Sequence, residues 1–149
     1  MNPFDIKAAL LAKHAQHVVL IHFPLALFIA GVVFDFLAQK TKKRGLLDAA
    51  YYNLLGAAIF ALPAVVTGIF AWQFQLDGQK LKGILLMHLV LGSTSTMLIW
   101  MAWALHVRAR RQLPEGLPVF RLGLETAAVA IVGLTGHLGG FLSGVNAPS

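Results

Sequence analysis

Four long runs of apolar residues, separated by short polar connections, constrain this chain more than any other feature. They cover His17–Leu37, Tyr51–Trp72, Ile84–His106 and Val119–Phe141. A helix of roughly 20 apolar residues crosses the ~30 Å hydrocarbon layer of a bilayer, so each run is long enough to span. Lipid offers no partner to backbone polar groups, and a helix satisfies them within its own segment. The connections Ala38–Ala50, Gln73–Gly83 and Val107–Pro118 are short, so neighbouring helices run antiparallel. The expected fold is all-α: an integral membrane four-helix bundle, up-down-up-down, forming a single domain over 1–149. The sequence shows no internal repeat and no low-complexity segment.

Composition supports lipid as the solvent. The chain is 58% hydrophobic and 12% charged, against about a quarter charged in soluble domains. A chain of 149 residues has too much surface for its volume to hide that apolar area internally. The net charge of +6 raises nucleic acid as a partner. The basic residues fall in clusters between the apolar runs, which is a membrane pattern and argues against nucleic-acid binding. The absence of cysteine excludes disulfides, thiolate metal sites and covalent c-type haem attachment. The first apolar run begins too late and is too long for a secretory signal, and no small-x-small cleavage site follows it. No P-loop, dinucleotide glycine fingerprint, HExxH or CxxC motif is present.

The basic clusters set an expected orientation. The first connection carries Lys40, Lys42, Lys43 and Arg44; the third carries Arg108, Arg110 and Arg111, with Arg121 just beyond. The N-terminal segment has Lys7 and Lys13, and the second connection has Lys80 and Lys82. The positive-inside rule places the first and third connections in the cytoplasm and both termini outside, as in a multi-pass membrane protein. Residues 1–16 read as an interfacial N-terminal segment: Asp5–Gln16 mixes apolar and charged residues, with Asn2 as cap and Pro3 at the first helical position.

The histidines are then placed by depth. His22 lies a turn or so into the first helix, His88 at a similar depth in the third, and His137 about a turn before the end of the fourth. His17 sits at the mouth of the first helix, His14 further out, and His106 alone lies at the cytoplasmic end. Ionisable side chains inside a membrane helix are costly and usually face the bundle interior. A single one is readily explained as a hydrogen-bond partner between helices. Three at one level on separate helices point to a shared site. Neutral imidazole ligates haem iron and ions such as Zn or Cu. Small residues beside these histidines, Gly92 below His88 and Gly133, Gly136, Gly139 and Gly140 around His137, leave room for a flat macrocycle; they also suit close helix packing.

Other polar features have plainer readings. Pro24 and Pro63 interrupt the hydrogen-bond ladders of the first and second helices and free the carbonyls of Leu20 and Ile59. Arg121 and Glu125 are spaced as a one-turn ion pair. Asp35 has no local partner; it can meet the basic first connection or reach Arg121 across the bundle. A proton relay from Asp35 to the histidines has only the hydroxyls of Thr67, Thr94, Ser95 and Thr96 to use.

The motifs His22-Phe-Pro, Asp35 at the far end of the same helix, and Gly136-His-Leu-Gly-Gly140 together resemble a family of small four-helix bacterial membrane proteins, known mainly as a domain of unknown function. The resemblance covers nearly the whole chain. After its glycine pair that family usually continues into an aromatic and acidic stretch, where this chain has Phe141-Leu-Ser-Gly-Val-Asn. The resemblance implies the fold and a bacterial membrane location and supplies no activity.

The leading expectation is a membrane b-type cytochrome-like protein that carries electrons near the outer face. Its haem b has His22 with His137 or His88 as axial ligands, the third histidine being a second partner or a quinone contact, and His17 close by. Gly92 and Gly136 give space, and Lys13, Lys80 or Lys82 meet the propionates. The alternative is a Zn or Cu ion on His22, His88 and His137; a further one is an accessory subunit whose polar layer only fixes helix register. The expected partners are the lipid bilayer and a quinone or redox protein, and the bundle can form a homo-oligomer.

Overall fold

The computed structural model describes residues 15–112 and 118–144. Every regular element in them is helical: α1 (Ala15–Thr41), α2 (Arg44–Phe70), α3 (Gly83–Gln112) and α4 (Phe120–Leu142). Each is long and apolar enough to cross a membrane. The chain is a membrane four-helix bundle. Lys13, His14 and the expected N-terminal interfacial segment lie outside the described residues.

Both internal prolines, Pro24 in α1 and Pro63 in α2, sit inside continuous helices. α1 ends at the Lys42 turn, where a positive φ of 58° reverses the chain and the Lys42 N–H caps the carbonyl of Ala38 at 2.8 Å. α2 follows two residues later. Its last turn widens into a π-helical stretch, Ala71–Gln75, closed by the Leu76 N–H on the Ala71 carbonyl at 3.1 Å. The widened turn presents Trp72, whose Nε1 donates to the Gln79 carbonyl at 2.9 Å and so pins the α2–α3 connection.

Small residues bring α1 and α2 together. Ala50, Ala57, Ala58, Ala61 and Ala64 form a buried stripe on α2, and Leu54 inserts against Gly31 of α1. A Cβ on Gly31 would lie 2.9 Å from Leu54 Cγ, so only glycine admits this approach. In lipid, helices associate through such close packing, because the solvent is as apolar as the side chains. Phe28, Val32, Leu54, Ile99, Ala102, Ala128 and Val132 complete the core. The remaining large apolar side chains, among them Val19, Phe23, Val66, Phe70, Met97 and Phe120, point outward. In water that surface would be a liability; on a membrane-spanning bundle it is the lipid face.

Candidate functional site

Two polar regions lie at opposite ends of the bundle. The first surrounds a cavity of about 340 Å³, walled by all four helices and by the π-helical turn. His17 of α1 and His88 of α3 line it, as do Gly92, Thr135 and Gly136. The two imidazoles are neighbours in an edge-on arrangement, with ring centres 6.3 Å apart and ring planes at 87°.

Each of these rings is oriented by a second group. His88 Nδ1 donates to the backbone carbonyl of Thr135 at 3.1 Å, which leaves Nε2 with the lone pair. Thr67 gives its hydroxyl proton to the Pro63 carbonyl at 2.8 Å; His17 Nδ1 therefore donates in its 3.3 Å contact with Thr67 Oγ1. Imidazoles that ligate metals are commonly held in this way, one nitrogen anchored to oxygen and the other presented to the ligand. Glycines seat both rings. A Cβ on Gly68 would lie 3.0 Å from His17 Cε1, and one on Gly139 would lie 3.1 Å from His88 Cε1. A Cβ on Gly136 would meet nothing within 4 Å, so this stretch of wall borders open space.

The other histidines of the expected layer are not brought to the cavity. His22 is exposed on the outside of α1, and its Nδ1 donates to the Val18 carbonyl of its own helix at 2.6 Å. His137 is also exposed, edge-on to Phe141 with ring centres 5.0 Å apart. His22, His88 and His137 thus do not form a cluster; the structure instead pairs His88 with His17. The reason is angular. His17 and His22 are five residues apart, which on a helix of 3.6 residues per turn separates them by more than a third of the circumference. Lys80 and Lys82 are exposed on the α2–α3 connection, beside Leu81 and Leu85 of the cavity wall.

The second region lies where the α1–α2 and α3–α4 connections meet the bundle. Arg121 of α4 grips Asp35 of α1 with two parallel hydrogen bonds, Nε to Oδ2 at 2.6 Å and Nη2 to Oδ1 at 2.8 Å. Its Nη1 donates to the Pro118 carbonyl at 3.1 Å. His106 Nε2 of α3 lies 3.2 Å from Glu125 Oε1 and 3.6 Å from Asp35 Oδ2. All four side chains are at most 2% exposed. Planar guanidinium–carboxylate pairing of this kind is the geometry in which a buried ion pair repays its desolvation. Among the described residues, Asp35, His106 and Glu125 are the one group of three or more such side chains able to hold a metal ion.

The family described as "Predicted membrane protein (DUF2231)" matches residues 13–146. The chain belongs to that family. No curated protein and no solved structure matches it. For this family member, the resemblance carried by the His-Phe-Pro and Gly-His-Leu-Gly-Gly motifs was therefore a sound guide to fold and membrane location. It was no guide to the rings that line the cavity, since His22 and His137, the histidines of those motifs, are both turned away.

Sequence reasoning missed three groups. Depth counting leaves His106 alone at the cytoplasmic end, and one-turn spacing pairs Glu125 with Arg121, whereas in the fold His106 and Glu125 meet each other. The same depth comparison that grouped the outer histidines, applied to Asp35, His106 and Glu125, would have found them at one level. Gly68, the seat of His17, carried no signal, because nothing in the sequence sets it opposite that residue.

Proposed function

We propose that this protein is a membrane cytochrome of the b type, binding one haem between His17 and His88. The observation that carries the reading is the spacing of the two rings. An ion held between two opposed imidazoles, at about 2.0 Å from each nitrogen, sets the ring centres roughly 6.4 Å apart. The rings here stand 6.3 Å apart, on the wall of a half-open cavity that helices from the whole bundle line. Cofactors of helical bundles are held in this manner, by side chains on facing helices.

Haem would supply reversible one-electron chemistry. The chain's own residues would do the rest. Thr135 and Thr67 hold the imidazoles through Nδ1, and Nε2 of each would be the atom offered to the iron. Gly68 and Gly139 let the rings lie back against α2 and α4, and Gly92 and Gly136 leave the wall without side chains. Lys80 and Lys82, beside the cavity, supply cations for the propionates. With the basic first and third connections in the cytoplasm, the haem lies near the outer face of a bacterial inner membrane, and both termini are outside. A quinone or a redox protein at that face would exchange electrons with it.

A bare Zn or Cu ion between the same two histidines would fit the ring spacing equally well. It would leave the 340 Å³ cavity unfilled, and cavities of that size suit organic ligands. This favours the macrocycle.

The test is an absorption spectrum of protein purified from haem-replete cells. A Soret band and a sharp reduced α-band are expected, lost in His17→Ala and in His88→Ala and kept in His22→Ala and His137→Ala. A colourless protein with no bound porphyrin overturns the proposal and leaves an accessory role. Zn or Cu in its place supports the ion site.

A further inference from the structure

The end of the bundle away from the cavity holds donor atoms that the haem reading does not use. His106 Nε2 faces two carboxylate oxygens at once, at 3.2 Å and 3.6 Å. Asp35, His106 and Glu125 each offer one ligand atom, and these atoms lie within 4.8 Å of one another. Donors around a tetrahedral ion at about 2.0–2.1 Å stand roughly 3.3 Å apart, so the imidazole–carboxylate spacings are those of an edge of such a shell. They come from α1, α3 and α4, and packing already fixes their positions.

A second observation points to a ligand. Glu125 Oε2 is buried without a hydrogen-bond partner, in a residue with no exposure. An unmatched oxygen of this kind is costly inside a protein and more so at membrane depth. A cation is the partner that a carboxylate oxygen takes most readily. Asp35 is held in place for the same task. Arg121 Nε uses one lone pair of Oδ2, and the oxygen keeps another that can be offered to an ion. Ligating carboxylates are usually braced by such hydrogen bonds, and removing the brace costs affinity.

We propose that Asp35, His106 and Glu125 form a site for one divalent cation inside the membrane, at the end of the bundle carrying the basic connections. One imidazole nitrogen and two carboxylates, without sulfur, suit Zn²⁺. Glu125 and Asp35 supply the anionic donors, Asp35 while still paired with Arg121, which also keeps its contact with Pro118 at the edge of the cluster. The site does not depend on the haem reading.

The experiment uses the untagged full chain in detergent, stripped with a chelator. Zn²⁺ is titrated by calorimetry and Co²⁺ by its visible absorption. Both titrations are run in the wild-type chain and in a His17→Ala/His88→Ala background, which removes the cavity imidazoles as competitors. One equivalent should bind in each. Glu125→Gln and His106→Gln should each weaken binding tenfold or more, with helical circular dichroism and the gel-filtration profile unchanged. Asp35→Asn is the poorer probe, because it also breaks the Arg121 pair. The proposal is overturned if no saturable binding is found at any pH, or if the Glu125→Gln/His106→Gln double variant binds as the wild type does.

Discussion

The two ends of the bundle use the same residue types to opposite effect. At the cavity end, each histidine ring is anchored through Nδ1 and lines the cavity, and glycines widen the wall. At the basic-connection end, histidine, carboxylates and arginine close directly on one another. Burial separates them: Asp35 and Glu125 have no exposure, whereas His17 and His88 are only partly buried. A polar group in a membrane helix is therefore not one kind of signal. It marks a locked joint where partners meet it from other helices, and a receptive site where they stop short.

The contrast can be broken most sharply at the joint. Asp35→Asn should destabilise the bundle by about 3–5 kcal/mol, since it leaves the Arg121 charge buried and poorly paired. Denaturant unfolding in mixed micelles reads this directly. A loss below about 1 kcal/mol would show that the joint is not locked. The cavity end should respond with the opposite sign. Gly136→Leu adds a side chain where a Cβ meets nothing within 4 Å, and should stabilise the cofactor-free protein by about 0.5–2 kcal/mol. The same change should remove the haem absorption band. Stability that falls, with the band retained, would mean that Gly136 does not face usable volume.

Smaller effects mark the limits of both regions. Arg110 reaches Asp48 and lies over the Tyr51 ring at 3.9 Å, yet both charged partners are well exposed. Arg110→Ala should cost under about 1 kcal/mol, as surface ion pairs do. A larger cost would extend the joint outward along α2 and α3. His22→Ala should leave the absorption spectrum of the purified protein unchanged, because the ring is tied to its own helix and lies outside the cavity wall. A lost band would return His22 to the ligand set.

Much of this architecture was legible before any coordinates. The four apolar runs became four helices, because a length of about 20 apolar residues has few other outcomes in lipid, although α2 already begins at Arg44 and α3 continues to Gln112, so that much of the expected polar connections is helical too. The pairing of Asp35 with Arg121 across the bundle was one of the readings the sequence left open, since an acid with no neighbour of opposite charge must look to another helix. The choice of histidines was harder. Depth along a helix follows from counting residues, but the face a residue presents depends on how the helix is rotated against its neighbours. His22 passes the depth criterion and fails the rotational one; His17, one position group earlier, meets the cavity.

The sequence alone determined the solvent, the number of spans and their antiparallel order, because these follow from hydrophobic length and from connections too short to allow anything else. Only the tertiary structure decided which imidazoles converge, that glycines 68 and 139 seat them, and that His106 joins Asp35 and Glu125. Those outcomes depend on helix rotation and close approach, which arise from packing between segments far apart in the chain and leave no local imprint on it.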